Sequence, residues 1–136
     1  MMIRGWFYPN YNRLSRAFDA AFYRRKYPDV AAARVDPLAH YIRYGAREGR
    51  QPLPLFLPEY YLRNCPAARE PGGNPLLHFL RMRGAACPNP HPLFDCAAYV
   101  RAHPDSAEMN PLVHYLRTVP GKNPPLEGSQ FAQCDA

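Results

Sequence analysis

The chain has 136 residues, 47% of them hydrophobic and 21% charged, which is enough for one domain with a modest core. No stretch approaches the ~20 apolar residues needed to cross a bilayer, and the N-terminus lacks the apolar run of a secretory signal, so we expect neither. The net charge of +6 comes from 17 basic residues, all arginine except Lys26 and Lys122. This balance keeps an anionic partner in consideration, whether nucleic acid, anionic lipid or acidic polysaccharide.

The 17 prolines and 10 tyrosines set the composition apart from that of an ordinary globular protein. Proline at this level is common in disordered segments. Here, however, it alternates with aromatic-rich stretches that can bury surface, so we predict an ordered fold of short elements. The four cysteines form no C-x-x-C pair and match no zinc-site spacing. We therefore expect free thiols, a reducing compartment and a cytoplasmic location, with peripheral attachment to a membrane as the alternative.

A repeat of about 38 residues begins at Phe18, after residues 1–17, which we expect to form an N-terminal extension or cap. Phenylalanine recurs at positions 18, 56 and 94. In each case tyrosine follows at plus five, arginine at plus seven and proline at plus ten. Coincidence does not explain so many matched positions.

The first half of each repeat is predicted to be a helix. Asp19 and Asp95 are good N-cap residues, and the flanking phenylalanine and tyrosine have the spacing of a hydrophobic staple. The proline at plus ten is expected to end this helix, because it lacks an amide hydrogen and clashes with the preceding turn. The second repeat departs from the pattern. Leu57 is a poor cap, although Pro58 suits the first helical position.

The second half of each repeat follows the pattern [D/N]-P-L-x-H-[Y/F]-[I/L]-R and is also predicted to be a helix. Asp36, Asn74 and Asn110 are its expected caps, each followed by proline at the first helical position. Gly45 and Gly84 are expected to end the first two of these helices in the left-handed conformation.

Proline-rich connectors follow at residues 47–55 and 87–93, and we expect them to be extended and packed through their leucines. The third repeat has Pro120 and Gly121 instead, so its second helix should end differently. Together these features predict an all-α protein of three tandem helix-turn-helix repeats stacked in one small array. The predicted boundaries are repeats at 18–55, 56–93 and 94–126, which form one domain, and a flexible tail at 127–136.

The predicted core combines the staple residues with the apolar face of each second helix. Its members are Phe18, Tyr23, Leu38, Tyr41, Phe56, Tyr61, Leu76, Phe79, Phe94, Tyr99, Leu112 and Tyr115.

Recurring polar residues supply the candidate contacts to an anion or a glycan. On each second helix, histidine and arginine lie three residues apart, on the face opposite the core by helical periodicity. The candidates are Arg25, Arg63, Arg101, His40, Arg43, His78, Arg81, His114 and Arg117. Aromatic rings offer stacking surfaces and arginines offer forked donors. The alternative is structural: the histidine satisfies a backbone carbonyl of the neighbouring repeat, and the arginine caps helix ends or stacks on tyrosine.

No pattern in the sequence indicates catalysis, a metal or a cofactor. One histidine per repeat gives at most a site between repeats, and the cysteines do not recur with a paired base. Asp29 and Asp105 are expected to cap the turn after the proline. There is no glycine-rich phosphate loop and no paired-carboxylate motif. We therefore predict a protein that is not an enzyme.

The pattern Phe-Asp-x-x-[Phe/Tyr]-Tyr…Tyr-Pro-Asp-Val…Asp-Pro-Leu-x-His-Tyr…Gly-x-x-Glu-Gly-Arg, found over residues 18–56, resembles tandem repeats that accompany bacterial glycosyltransferases. These include rhamnan-synthesis-type proteins of cell-surface polysaccharide pathways. The resemblance extends over about residues 18–126, although the second and third repeats lack the Glu-Gly-Arg run. No transferase domain is present in this sequence, so the resemblance implies a glycan-related setting and no catalytic residue.

Three functional hypotheses follow. In the first, the chain is a non-catalytic scaffold that binds a glycosyltransferase or other copies of itself. In the second, it binds an acidic polysaccharide directly through the recurring arginine and aromatic positions. Nucleic-acid binding is the least favoured, because only the charge supports it and no nucleic-acid-binding motif is present.

Overall fold

A computed structural model describes residues 8–118 of the chain, and in this range the protein is all-α with no β-strand. The helices are short because proline and capping residues punctuate the sequence every few residues. Eight α-helices lie within this range: α1 (Tyr11–Ser15), α2 (Ala20–Lys26), α3 (Pro28–Ala33), α4 (Pro37–His40), α5 (Pro58–Asn64), α6 (Pro75–Leu80), α7 (Cys96–Ala102) and α8 (Pro111–Thr118). None of them is long and apolar enough to cross a membrane.

The predicted N-caps are confirmed. Asp19 and Asp95 accept hydrogen bonds from backbone amides of the first turns of α2 and α7, at 2.9 and 3.0 Å. Asp36, Asn74 and Asn110 do the same for α4, α6 and α8, at 3.0, 3.1 and 3.1 Å. Each such bond satisfies an amide that has no partner within its own helix. The exception was also predicted, since α5 begins at a proline with no side-chain cap.

The proline at plus ten ends the first helix as predicted, but it also begins another. α2 ends at Lys26, and Pro28 occupies the first position of α3. The equivalent prolines begin single 3₁₀ turns over Pro66–Ala68 and Pro104–Ser106. The prediction of two helices per repeat was therefore too simple. A proline lacks only the amide that a first-turn residue leaves unbonded, so it breaks one helix and suits the start of the next.

The prediction for Gly45 was wrong. This glycine does not end α4 in the left-handed conformation; it lies within a π-helical turn over Tyr41–Gly45 that continues α4. A Cβ atom added at Gly45 would overlap the hydroxyl of Tyr23. Position 45 therefore requires glycine because two segments approach closely there. The positive φ occurs four residues later, at Gly49 (φ 76°).

Gly84 has the predicted positive φ, 71°, but it is not the end of a helix. α6 ends at Leu80, and Gly84 begins a 3₁₀ turn over Gly84–Ala86. Its amide donates to the Met109 carbonyl at 3.0 Å, and an added Cβ would lie 2.9 Å from the Ala107 carbonyl oxygen. Contact with a segment distant in sequence therefore explains why glycine occupies position 84 as well.

The two proline-rich connectors are tight turns and not extended segments. Each contains one isolated antiparallel bridge, Leu53 with Phe56 and His91 with Phe94. Packing through leucine occurs in the first connector, where Leu53 and Leu55 are fully buried. In the second, Leu93 is exposed and His91 is buried in its place, so that part of the prediction was wrong.

The buried side chains form one connected cluster that runs from Leu14 to Leu116. Leu14 and Ala17 attach the N-terminal extension to this core, and α1 packs against α4 and α6. All predicted core residues are buried except Phe18, which is half-buried and packs against the cluster. The predicted Pro120–Gly121 exit and the tail at 127–136 lie outside the described residues.

Candidate functional site

A buried tyrosine–histidine hydrogen bond occurs three times in the molecule. The hydroxyl of Tyr23 lies 2.9 Å from Nδ1 of His40. The same two atoms are 2.7 Å apart in Tyr61–His78 and 2.6 Å apart in Tyr99–His114. The three tyrosines are at most 2% exposed, and His114 is 8% exposed. Nδ1 of each histidine is therefore bonded to the hydroxyl of a buried tyrosine, whereas the arginine three residues later is exposed; His40 and His78 are themselves half-buried.

Each of these tyrosines also lies in a cluster of three aromatic rings. The centroids of Phe18 and Tyr23 are 5.2 Å apart, and those of Tyr23 and Tyr41 are 5.9 Å apart and edge-on. Equivalent clusters are Phe56–Tyr61–Phe79 and Phe94–Tyr99–Tyr115. Ring pairs in these geometries stabilise by about 0.5–1.5 kcal/mol beyond the area that they bury. The recurring aromatic residues thus form structural cores.

Burial raises the pKa of the Tyr23, Tyr41 and Tyr61 hydroxyls well above the usual tyrosine value. These groups therefore stay protonated and polar within the core, where an unmatched hydroxyl would destabilise the fold. For Tyr23 and Tyr61 a histidine supplies the partner, and for Tyr41 the partner is Asn74. The sequence-based structural interpretation assigned each histidine to a carbonyl of the neighbouring repeat; its partner is instead a hydroxyl within the same repeat.

In the third cluster the hydrogen bonds extend to a carboxylate. Nε2 of His114 lies 2.9 Å from a carboxylate oxygen of Asp105, so Nε2 carries the proton and Nδ1 accepts from the Tyr99 hydroxyl. The bond to His114 is the main cause of a lowered Asp105 pKa. Because Tyr99 is only 2% exposed, its hydroxyl does not meet a substrate in this conformation. Asp105 thus pairs with a histidine, a partner that the sequence interpretation did not include.

Arg50 forms the polar link in the first repeat, and the sequence interpretation missed it. Its guanidinium group donates two hydrogen bonds to Asp29, at 3.0 and 2.9 Å, and one to Glu48, at 2.8 Å. It also lies 4.6 Å from the ring centroid of Tyr27. The Arg50 guanidinium holds the pKa of the Asp29 carboxyl below its usual range. The signal was present in the sequence, since the Glu-Gly-Arg run occurs only in the first repeat.

The recurring arginines all lie on the surface. They are Arg25, Arg43, Arg63, Arg81, Arg101 and Arg117. Two of them lie over tyrosine rings: Arg43 is 5.5 Å from the centroid of Tyr44, and Arg63 is 5.9 Å from that of Tyr60. A hydrogen bond with Tyr8 raises the pKa of Arg43. Tyr44 is 43% exposed, and its ring centroid also lies 5.5 Å from that of His40.

Two cysteines are buried together near Tyr61. The neighbouring Cys87 thiol and burial raise the pKa of the Cys96 thiol. Cys96 also contacts the Pro88 carbonyl oxygen at 3.7 Å, and Cys65 is half-buried. A buried thiol with a raised pKa is a poor nucleophile. Among residues 8–118, no group of three or more His, Cys, Asp or Glu side chains could hold a metal ion.

A cleft of about 430 Å³ lies between the N-terminal extension and the segment that follows α6. Four arginines line it: Arg13, Arg16, Arg81 and Arg83. We call it the arginine cleft. Of the four, only Arg81 occupies a repeated position. The sequence interpretation missed the other three because nothing in the repeat indicates that residues 13–16 lie beside residues 81–83.

Comparisons with protein-family models, curated proteins and solved structures gave no match to this chain. The class to which the protein belongs is therefore defined by its fold, which is all-α within residues 8–118.

Proposed function

We propose that this chain is a non-catalytic helical repeat module that acts as an interaction scaffold in a bacterial cell-surface polysaccharide setting. The observation that carries the proposal is the threefold recurrence of the Phe–Tyr–His cluster at intervals set by the sequence repeat. A cluster rebuilt three times from equivalent positions fits an array in which each unit contributes the same local core. The setting rests on the resemblance of residues 18–126 to repeats that accompany bacterial glycosyltransferases.

Contacts between the proposed units support stacking in one array. The Tyr41 hydroxyl donates to Asn74, the cap of the next unit, at 3.3 Å. The side chain of Asn110 donates to the carbonyls of Phe79 and Met82 in the unit before it, at 2.9 and 3.2 Å. At the N-terminal end, the Tyr11 hydroxyl donates to Asp36 at 2.8 Å. The second-half cap of each unit is thus bonded to the segment that precedes it, and residues 11–15 take that place for the first unit.

The absence of catalysis is part of the proposal. The recurring histidines, which would be the natural general bases, are bonded through Nδ1 to tyrosine hydroxyls that are at most 2% exposed. Their geometry serves the core and leaves them poorly placed to accept a proton from a substrate. Among the recurring polar residues, the arginines are the ones that are exposed, and arginine binds anions and does not act as a base near neutral pH.

Light scattering of the full chain over a range of concentrations, alone and with a glycosyltransferase from the same genome, tests the scaffold. We expect either self-association or a stoichiometric complex with the transferase. A monomer at all concentrations that also fails to bind the transferase would contradict the proposal. The neighbouring genes identify the transferase to be used.

Direct binding of an acidic polysaccharide is the second candidate, and the Arg43–Tyr44 pair favours it. An exposed ring beside a guanidinium group offers a stacking surface for a sugar and a donor for its carboxylate. Retention of the chain on an affinity gel that contains an acidic polysaccharide tests this candidate. We expect Arg43→Ala/Tyr44→Ala to lower retention while Arg25→Ala/Arg101→Ala does not. Equal retention by both variants would show that Arg43 and Tyr44 do not bind the polysaccharide.

A further inference from the structure

We propose that the arginine cleft is a binding site for a phosphate-bearing anion. This inference does not depend on the scaffold, because the cleft includes Arg13 and Arg16, which lie outside the repeat. Its ligand also differs from the acidic polysaccharide considered above, whose charges are carboxylates.

Three segments that are distant in sequence form the cleft: residues 13–16, 80–83 and 108–113. Arg13 lies in α1 and Arg16 directly follows it, so their side chains leave the helix one turn apart. Arg81 follows α6, and Arg83 is in an extended conformation two residues further on. The packing of α1 against α6 brings the two pairs to opposite walls of one cleft.

The positive charge of this cleft is not compensated within the described part of the chain. None of the four arginines forms an ion pair with another residue between 8 and 118. Glu108 also lines the cleft, so four guanidinium groups and one carboxylate leave a net charge of +3 (4 − 1). Like charges held in one concavity repel each other and attract anions, so a bound anion would relieve this repulsion.

The number of guanidinium groups favours phosphate over carboxylate. Each guanidinium group donates through a planar fork that matches two phosphate oxygens. A phosphate ester presents three such oxygens in a tetrahedral arrangement and carries close to two negative charges near neutral pH, so donors can approach it from several directions. A carboxylate presents two oxygens in one plane and a single charge. A pyrophosphate group would match the net charge of the cleft most closely.

Part of the cleft wall is apolar and suits an organic group attached to the phosphate. Leu80, Met82 and Val113 line it beside the arginines. A volume of about 430 Å³ exceeds what an inorganic anion alone requires. The ligand class is therefore a phosphate or pyrophosphate ester whose organic part contacts this apolar wall.

Isothermal titration calorimetry of the full chain at fixed ionic strength tests the site, with inorganic pyrophosphate as the probe and citrate as a carboxylate anion of similar charge. We expect tighter binding of pyrophosphate than of citrate. Arg13→Gln/Arg83→Gln should weaken the pyrophosphate affinity by about tenfold or more, because each charge-assisted hydrogen bond accounts for at least that factor. The control Arg24→Gln/Arg101→Gln removes the same charge outside the cleft and should stay within about twofold.

Three results would overturn the proposal: no pyrophosphate binding by the wild type, equal affinity for citrate, or an equal loss of affinity in the control variant. NMR of the arginine Nε–Hε groups in the wild type needs no substitution and so does not depend on whether a variant folds. Pyrophosphate should shift the signals of Arg13, Arg16, Arg81 and Arg83, and uniform shifts over all arginines would contradict the site. Phenyl phosphate in solution and phosphatidic acid in vesicles then separate a soluble ester from a lipid headgroup as the source of the phosphate.

Discussion

At the scale of single residues, a few polar atoms within the core decide how the aromatic clusters are built. A tyrosine hydroxyl placed among apolar rings must be hydrogen-bonded, since an unpaired buried hydroxyl destabilises by about 1–3 kcal/mol. In each cluster this partner is a histidine on the following second-half helix. The recurrence of histidine in the sequence therefore reflects a requirement of the core.

Tyr61→Phe tests this requirement. The substitution keeps the ring but removes the hydroxyl that lies 2.7 Å from Nδ1 of His78, so a half-buried imidazole nitrogen loses its partner. We expect the free energy of unfolding in urea to fall by about 1–2 kcal/mol. Tyr60→Phe, at the half-buried neighbouring position, is the control and should change it by less than about 0.5 kcal/mol. Equal effects would show that the Tyr61–His78 bond adds nothing to stability.

Gly45 is the residue at which two segments approach most closely. In Gly45→Ala the new methyl group would overlap the Tyr23 hydroxyl, so we expect a loss of about 1–3 kcal/mol in the free energy of unfolding. In the Tyr23→Phe background the same substitution should cost about 1 kcal/mol less, because the overlapping atom is gone. Additive effects in this double-mutant cycle, measured by urea denaturation, would exclude the overlap as the cause.

At the scale of elements, proline and polar caps fix the starts of helices, while contacts between elements decide where the helices end and how they continue. α2 ends before Pro28, yet α3 begins at that proline, and Arg50 then ties α3 to the first connector through Asp29. The polar link of the third repeat is different, since Asp105 bonds to a histidine there. Equivalent elements are thus held by unequal interactions.

The Arg50–Asp29 link predicts a pH dependence. A carboxyl whose pKa is lower in the folded than in the unfolded protein adds stability above its unfolded value, here 3.8, and this stability is lost as the pH falls through the lowered folded value. Asp29→Asn should therefore be less stable than the wild type at neutral pH, and the difference should shrink below about pH 4. Thermal unfolding across this range measures it.

Glu70→Gln removes the same charge outside this link and serves as the control for net charge. A difference between wild type and Asp29→Asn that stays constant down to pH 2 would contradict the role of the ion pair. Added salt should reduce the neutral-pH difference, because Asp29 is 61% exposed and its interaction with Arg50 is open to screening.

At the scale of the whole molecule, one connected core joins residues 14–116, and side chains at the second-half caps link successive segments. Asn110 both caps a helix and links that helix to a distant segment. It is 5% exposed, caps α8 and donates to the carbonyls of Phe79 and Met82. Asn74, at the equivalent position, caps α6 and accepts from Tyr41. The two cap residues therefore bond to different partners outside their own helices.

Asn110→Ser and Asn74→Ser separate capping from this link. Serine can cap a helix at either position, but it cannot replace both hydrogen bonds to Phe79 and Met82. We expect Asn110→Ser to lower the free energy of unfolding by at least about 1 kcal/mol more than Asn74→Ser, because buried carbonyl groups lose their donors. Urea denaturation followed by circular dichroism measures both. Equal losses would limit Asn110 to a capping role.

Much of the local structure could be predicted from the sequence. The caps at Asp19, Asp36, Asn74, Asp95 and Asn110, the first-turn prolines and the all-α class follow from interactions within a few residues, which the sequence displays directly. The failures have a common cause. The roles of Gly45, of His40 and its equivalents, and of Asp105 depend on a partner between 9 and 22 residues away, and neither propensity nor periodicity specifies that partner.

The sequence by itself determined the repeat, the positions at which helices begin and which aromatic residues recur. Only the tertiary structure decided that the recurring histidines bond to buried tyrosine hydroxyls, that the recurring arginines are exposed, and that Arg13, Arg16, Arg81 and Arg83 share one cleft. The physical reason is the distance along the chain over which each interaction acts. Capping and helix initiation are settled within one turn, whereas a hydrogen-bond partner or a charged cleft exists only after α1 and α6 have packed together.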